Sequence, residues 1–299
     1  MNDKKTKCGF VAVIGEPNSG KSTLVNRIVG EKVSIVSHRV QTTRHRIRAV
    51  SQHDDCHTQI VFVDTPGFFN NAKTDLEKAL MTNFKHAYKD SDVILVMIDA
   101  CCRNILATLS FLEKLKNRKV AAVINKVDIA DKSKILKIAN ELSKFDFLEK
   151  VFMISASNGD GVSAVVEYLK DNMSEGPYMF DPNSKTDMSM QFRLSEITRE
   201  KLYQVLLAEL PYSIYVETEL FKETEKKAKI YQSIVVAKDS QKGIVLGSGG
   251  DRIKSIKDMA ISDIKDLLCK KIELKLFVKV KENWTKKRTH LQNAGIVNH

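Results

Sequence analysis

The feature that most constrains the fold is an apolar run, residues 10–14, that leads directly into the glycine-rich loop GEPNSGKS at residues 15–22. Helix-forming sequence follows at residues 23–29. A strand, a loop of the form GxxxxGK[ST] and a helix are typical of a P-loop, in which backbone N–H groups and a helix N-terminus surround a phosphate. The alternative is a glycine turn without a ligand. The predicted phosphate-binding residues are Gly15, Asn18, Ser19, Gly20, Lys21, Ser22 and Thr23.

Alternating apolar and helix-like segments place this loop in an α/β domain. Nearly continuous apolar strands are typical of a mostly parallel sheet that is buried on both faces. Such sheets bind ligands at the carboxyl ends of their strands. The candidate strands are residues 10–14, 60–63, 92–98, 120–124 and 151–154, and the candidate helices lie near 21–29, 74–89, 104–117, 133–145 and 161–172.

Two further segments can bind Mg²⁺ beside the P-loop. DTPG begins at Asp64, which can hold Mg²⁺ through water, and ends at Gly67, whose N–H can contact a γ-phosphate. Between the P-loop and DTPG, Thr42 or Thr43 can complete the Mg²⁺ shell once a γ-phosphate draws the loop in, and we favour Thr43. An ordinary polar loop is the alternative there. The predicted catalytic residues are Lys21, Thr43, Asp64 and Gly67, and the predicted metal ligands are Ser22, Thr43 and Asp64.

Two segments at later strand ends favour guanine. In NKVD, the Asp128 carboxylate can accept both N–H groups on guanine's Watson–Crick edge, a pair that adenine lacks. We expect Asn125 to tie this loop to the P-loop and the Lys126 stem to cover the base. The next strand ends in three residues that can offer a backbone N–H to the guanine carbonyl: Ser155, Ala156 and Ser157. The four motifs in this order predict a GTP/GDP site with Mg²⁺.

Phe68 follows DTPG at the position where Ras-like enzymes carry the glutamine that orients the attacking water. The phenyl ring neither donates nor accepts a conventional hydrogen bond. We therefore predict slow intrinsic hydrolysis, with water held by backbone groups or by a loop that a partner orders.

Charge and cysteine usage narrow the partners and the compartment. The 299 residues carry a net charge of +11, which predicts a polyanionic partner, either nucleic acid or an acidic membrane surface. Five cysteines without metal-ligand or disulfide spacing fit a reducing cytosol. The sequence lacks the apolar run of a signal peptide or a membrane span, so we expect a cytoplasmic protein.

The last third of the chain is predicted to form a second domain. Residues 173–190 lack periodicity and are predicted to be a linker between domains at 1–172 and 191–299. The predicted order after the linker is α-β-β-α-α-β, with helices at 191–210 and 251–269. GSGG separates two helices of this domain, as in the backbone clamp of a type II KH module that grips single-stranded RNA. The predicted RNA-binding residues are Gly247, Ser248, Gly249, Gly250, Arg252, Lys254 and Lys257.

A basic tail at residues 279–288 carries the only tryptophan, Trp284. It either extends the RNA surface or places Trp284 against the domain.

These motifs together resemble the Era GTPase family over nearly the whole chain. The resemblance rests on GEPNSGKS, QTTRHR, DTPGF, NKVD and SAS, then on AELPYS at 208–213 and IVLGSGGDRIKSI at 244–256. It implies an α/β P-loop GTPase domain with a mostly parallel sheet, followed by an α+β type II KH domain. It also implies action in small-subunit ribosome assembly, with small-subunit ribosomal RNA and the small ribosomal subunit as partners, and peripheral association with the inner membrane surface. We expect a monomer.

Two function classes remain open on the sequence. The first is a GTP-hydrolysing switch, in which GTP orders residues 38–48 and 64–75 and so permits RNA binding. The second is an RNA-binding module whose GTP site is largely structural and nearly inert, an interpretation that Phe68 keeps open. Phosphate release with and without ribosomal RNA separates the two.

Overall fold

The computed structural model describes residues 5–35, 47–53, 57–64, 88–206, 210, 214–282 and 284. Tertiary contacts divide the chain into two units, Met1–Asp187 and Met188–His299. Within the described part of the chain, no helix is both long and apolar enough to cross a bilayer.

The first unit is built on a mostly parallel sheet. Its strand order is β2-β3-β1-β4-β5-β6, in which β2 runs antiparallel to β3 and the other neighbours are parallel, and a short strand, β7, pairs antiparallel with β1. The strands are β1 Lys7–Gly15, β2 Ile47–His53, β3 Thr58–Asp64, β4 Val93–Asp99, β5 Val120–Asn125, β6 Leu148–Ile154 and β7 Ser174–Glu175.

Amphipathic helices connect these strands. The helices described in this unit are α1 Lys21–Val29, α2 Leu106–Leu112, continued by a 3₁₀ turn at Glu113–Leu115, α3 Lys132–Leu142 and α4 Val162–Asn172. In α3, the buried residues Ile135, Ile138 and Leu142 recur at helical spacing and therefore form one apolar face. This face packs against buried apolar residues of the central strands β1, β4 and β5, which form the core of the unit.

Sequence and structure differ at β2, which the sequence pattern does not predict. The segment IRAVSQH mixes charged, polar and apolar residues, so neither a continuous apolar run nor strict alternation marks it. Pairing with β3 nevertheless buries Ala49, Val50 and Ser51. The helix predicted near residues 74–89 lies mostly outside the described residues.

Most of the predicted linker, residues 173–187, belongs to the first unit and makes hydrogen bonds with its strands. Gln59 Oε1 accepts the N–H groups of Met179 (2.9 Å) and Phe180 (3.0 Å), and the Val50 N–H donates to the Lys185 carbonyl (2.9 Å). Thr186 forms an isolated bridge with Ala49. The contact boundary accordingly falls after Asp187.

The second unit has the order α-β-β-α-α-β. Its sheet runs β10-β9-β8, with β10 parallel to β9 and β9 antiparallel to β8. The elements are α5 Met190–Val205, β8 Tyr215–Glu223, β9 Lys227–Val236, α6 Asp239–Leu246, a 3₁₀ turn at Ser248–Gly250, α7 Asp251–Leu268 and β10 Lys271–Val280.

The first helix of this unit, α5, ends earlier than the sequence predicts. The predicted helix continues to residue 210, before Pro211, but Leu206 already has extended geometry with φ −83° and ψ 147°. Leu206 is buried in a cluster with Leu202, Ile214 and Val245. The apolar packing of Leu206 in the extended conformation thus accompanies the early end of α5.

Candidate nucleotide site and candidate RNA-binding loop

The strand register of the first unit gathers the predicted nucleotide residues at one edge of the sheet. Asp64 lies opposite Val13 near the end of β1, and Asp99 lies opposite Asn125. Asn125 in turn lies opposite Ile154, the last residue of β6. The loops that follow these strand ends therefore meet at the carboxyl edge, where parallel sheets bind ligands.

Lys21 occupies the centre of the P-loop. Its Nζ donates to the carbonyl oxygens of Gly15 (3.1 Å) and Glu16 (2.8 Å), and its side chain is buried. Burial lowers the pKa of Lys21 to about 8, while the carboxylates of Asp64 and Glu16 act in the opposite direction. A buried ammonium held by backbone carbonyls is ready to exchange them for a phosphate, which is a far stronger partner.

The glycines of this loop are required by space. A Cβ atom on Gly20 would lie 2.0 Å from Asn125 Nδ2, and one on Gly15 would lie 2.4 Å from the Met97 carbonyl oxygen. Gly20 also has φ +96°, a conformation that L side chains rarely adopt. Substitution at either position would displace a neighbour that itself shapes the site.

Two predicted Mg²⁺ ligands are in contact. Ser22 Oγ donates to Asp64 Oδ2 at 2.8 Å, and Asp64 is fully buried at the end of β3. A hydroxyl and a carboxylate beside a phosphate-binding loop form the oxygen set that Mg²⁺ prefers, so these residues fit the ion. Thr42, Thr43, Gly67 and Phe68 lie outside the described residues.

Asn125 joins three loops of the candidate site. Its Nδ2 donates to the Ser19 carbonyl (2.8 Å), which is the tie to the P-loop expected from sequence. Its Oδ1 accepts the Ala156 N–H (2.9 Å). Of the N–H groups considered for the guanine carbonyl, that of Ala156 is therefore engaged by Asn125 in this structure.

The other residues predicted to recognise the base lie on the loops next to Asn125. Lys126 has φ +67°, and its Nζ pairs with Asp99 Oδ2 at 2.5 Å, which fixes the direction of its stem. Asp128 is exposed, as a carboxylate that reads a bound base must be before the base arrives. Ser155 is buried and its Oγ lies 2.9 Å from Ser157 Oγ. Of the other P-loop residues, Asn18 is exposed and Thr23 is half-buried.

Sequence reasoning missed Asp99 and Arg27. Asp99 ends β4 at the same edge as Asp64 and Asn125, so the rule that found those two residues could have found it. Arg27 lies on α1, where its Nε donates to the Ala156 carbonyl (2.8 Å) and its guanidinium also bonds the Ser157 carbonyl. No sequence signal marks this contact, because its partners are about 130 positions away.

The glycine loop of the second unit is open where the P-loop is closed. Gly249 (φ +59°) and Gly250 (φ +85°) have no atom within 4 Å of an added Cβ, and Gly249 is exposed. At Gly247 (φ +77°), an added Cβ would lie 2.6 Å from Arg252 Cβ. The open space beside Gly249 and Gly250, between two helix ends, suits the close approach of a phosphate.

The side chains predicted to support RNA binding differ in placement. Lys254 and Ser248 are exposed, and Lys257 is half-buried. Arg252 donates instead to the Ile244 carbonyl, so its guanidinium caps α6 in this structure. Trp284 is fully buried, with its ring centroid 4.8 Å from that of Tyr215. Of the two alternatives for this residue, it packs against the domain.

Comparisons with known proteins agree over the full chain. A family model for a 50S ribosome-binding GTPase matches residues 10–126, and a KH-domain model matches residues 209–285. The chain is 43% identical to GTPase Era of Sinorhizobium medicae, covering 97% of this chain and 94% of that protein. It is 42% identical to GTPase Era of Brucella suis, covering 98% and 94% respectively.

Two crystal structures are similar throughout. One is Era in complex with MgGDPNP and nucleotides 1506–1542 of 16S ribosomal RNA, with a TM-score of 0.90, 32% identity and coverage of 98% of this chain and 99% of that one. The other is a tyrosine-to-alanine variant of Aquifex aeolicus Era bound to GDP·AlF4⁻, with a TM-score of 0.90, 32% identity and coverage of 98% and 100%.

Proposed function

This chain belongs to the GTPase Era family, and from that premise we propose that it is a GTP-hydrolysing switch that binds small-subunit ribosomal RNA and acts in assembly of the small ribosomal subunit. The observation that carries the proposal is the interlock at Asn125, which joins the phosphate loop to the guanine loops. The similar Era structure holds a GTP analogue with Mg²⁺ and a segment of 16S ribosomal RNA in one complex. That pairing supports both halves of the proposal.

Nucleotide binding starts at the P-loop. Lys21 exchanges the carbonyls of Gly15 and Glu16 for phosphate oxygens, and the α1 N-terminus adds its positive potential. Ser22 and Asp64 would hold Mg²⁺, with Thr43 as a further ligand. When bound, the ion supplies positive charge against the phosphates. Asp128 selects guanine, because adenine would leave its carboxylate unsatisfied.

Hydrolysis is proposed to rest on charge stabilisation and positioning rather than on a strong base. Lys21 stays close to the oxygens on which negative charge grows, and the Gly67 N–H would contact the γ-phosphate. Phe68 has no group that could take a proton from water. Turnover is therefore expected to be slow alone and to rise when RNA or a ribosomal partner orders the loop.

The experiment is phosphate release from GTP, with and without a 16S ribosomal RNA 3′ segment. We expect slow release alone, faster release with RNA, and loss of GTP selectivity over ATP in Asp128→Ala. Release that stays at the uncatalysed rate under every condition would favour the alternative, an RNA-binding module with an inert nucleotide site. GTP affinity is measured in parallel, so that an empty site is not mistaken for an inert one.

The location and assembly state are part of the same proposal. We propose a cytoplasmic monomer with peripheral attraction to the anionic inner membrane surface, supported by the net charge of +11. Light scattering and co-sedimentation with anionic vesicles at two salt concentrations test it. Absence of vesicle binding at low salt would remove the membrane part alone.

A further inference from the structure

One face of the sheet in the second unit is apolar and the other is basic. On one face, Ala228, Ile230 and Leu274 pack with Ala260 and Ile264 of α7. Successive side chains of a strand point to opposite faces, so the intervening residues of β9 and β10 form the other face. Its exposed half carries Lys227, Lys229, Tyr231, Lys271, Lys275 and Phe277.

Two aromatic rings lie at the centre of this half-face. Tyr231 and Phe277 meet edge to face, with centroids 6.3 Å apart and an interplanar angle of 79°. Phe277 is 45% exposed, which is high for a phenyl ring on a strand. The ammonium groups of Lys229 and Lys275 lie 5.1 Å and 5.2 Å from the Tyr231 centroid. Large apolar surface and positive charge are thus offered together.

Positive charge exceeds negative charge on this half-face. Lys227 lies directly opposite Lys271, and Lys229 lies directly opposite Lys222. Glu273, which lies opposite Lys229 in β10, is the acidic residue within this group. Lys227, Lys229, Lys271 and Lys275 outnumber this one acid, so the pattern favours a polyanionic ligand.

This half-face is separate from the glycine loop. The loop joins α6 to α7, and α7 lies in the helical layer that covers the opposite, apolar face. The loop and Tyr231 therefore lie on opposite sides of the sheet, so RNA that is held only by the loop does not contact Tyr231. A longer segment that passes around an edge of the sheet can reach both.

We propose that the half-face around Tyr231 and Phe277 is a second contact surface for single-stranded RNA. The rings stack with unpaired bases, and the flexible lysine side chains turn from Tyr231 to the phosphates. The inference rests on the proposed RNA-binding function, and it adds a place where a longer segment of the same RNA is held. An acidic protein surface would match the lysines but would not require exposed rings.

The test compares short and long RNA on the full-length protein. The probes are 16S ribosomal RNA 3′ segments of about 6 and about 20 nucleotides, and the variants are Tyr231→Ala/Phe277→Ala and Lys229→Gln/Lys275→Gln. We expect both variants to bind the long probe about ten-fold more weakly while affinity for the short probe stays unchanged. The lysine variant is also expected to have a shallower salt dependence with the long probe.

Two control variants test whether a loss of affinity is specific to this half-face. Lys134→Gln/Lys137→Gln removes the same charge from the exposed surface of α3 and should leave both affinities unchanged. Gly249→Asp should weaken both probes, because it places a side chain and a negative charge in the glycine loop. Circular dichroism and thermal melting verify that each variant folds.

The outcomes are distinct. If long and short probes bind equally in wild type, or if the ring variant binds the long probe as wild type does, the second surface is refuted while the proposed function stands. If the lysine variant alone weakens the long probe, the face is only an electrostatic surface and the stacking proposal fails. If wild type binds neither probe, the RNA-binding function itself fails.

Discussion

The two glycine-rich loops of this protein use glycine for different physical reasons. In the P-loop, Gly20 is required by space, because Asn125 occupies the position of a side chain. In the GSGG loop, Gly249 has open space around it and is required by its backbone angle and by access for a ligand. The P-loop is therefore closed and held by its own neighbours, whereas the GSGG loop is open to a ligand at Gly249.

The largest expected effect comes from breaking the closed loop. Gly20→Ala is expected to lower the free energy of unfolding by about 3 kcal/mol, because it combines an overlap with Asn125 and an unfavourable φ. GDP affinity should fall with it by at least about 100-fold, which corresponds to roughly the same free energy. Denaturant unfolding and GDP titration measure both quantities.

Two matched controls separate the cost of steric overlap at Gly20 from the cost of its positive φ. Gly30 (φ +75°) and Gly249 also have positive φ but no neighbour near an added Cβ, so Gly30→Ala and Gly249→Ala should each cost only about 1 kcal/mol. Equal losses in all three variants would contradict the distinction between the loops.

Asn125→Ala tests whether the nucleotide site depends on its interlock. The change leaves the Ser19 carbonyl and the Ala156 N–H without their partner, and we expect a loss of about 2 kcal/mol in stability. GDP should bind at least about ten-fold more weakly, while affinity for short RNA stays the same when nucleotide is absent. Unchanged GDP affinity would show that the loops hold their positions without Asn125.

Lys21→Met should change stability and nucleotide affinity in opposite directions. Unlike the changes at Gly20 and Asn125, it should stabilise the nucleotide-free protein. Burial lowers the pKa of Lys21 to about 8, so folding with the charged amine costs about 3 kcal/mol more than folding with the neutral amine at pH 7, and Met carries no charge to bury. The pKa of the folded state lies below that of the unfolded state, so the cost is full below pH 8 and fades as pH rises toward 10.5. The gain in stability of Lys21→Met over wild type should therefore shrink over that range.

The protonation of Lys21 should also change the affinity for GDP. Phosphate raises the pKa of Lys21, so GDP affinity in wild type should decline as pH rises through about 8, and the Lys21→Met variant should bind GDP far more weakly at every pH. Thermal melts and GDP titrations between about pH 6.5 and 9.5 check both expectations. A variant less stable than wild type at neutral pH would mean that the buried ammonium is not a cost.

The smallest expected effect concerns Arg27. Arg27→Ala removes the bonds to the Ala156 and Ser157 carbonyls, which we expect to weaken GDP binding about five-fold through a looser guanine loop. Arg118 is the matched control, because its guanidinium also bonds two backbone carbonyls of the first unit, those of Lys89 and Ser91. Arg118→Ala should leave GDP affinity unchanged, and an equal loss there would make the effect one of general stability.

The sequence predicted what local pattern encodes. The P-loop, Asp64 and NKVD lie at strand ends, so a strand pattern followed by a motif is enough to place them at one edge of the sheet. The strand β2 was not predicted, because its burial comes from pairing with β3 rather than from its own composition. Arg27 and the pair Tyr231–Phe277 escaped because their contacts join segments far apart in the chain. Such contacts follow from tertiary register, which no local pattern reveals.

We propose that the nucleotide bound at the P-loop controls RNA binding at the GSGG loop. The direct measurement is the affinity for a 16S ribosomal RNA 3′ segment with GDP and with a non-hydrolysable GTP analogue, in wild type and in Gly249→Asp. We predict tight binding with the GTP analogue, weak binding with GDP, and loss of the tight binding in the variant. Equal RNA affinity in both nucleotide states would contradict the claim, because a ligand without differential affinity cannot shift an equilibrium.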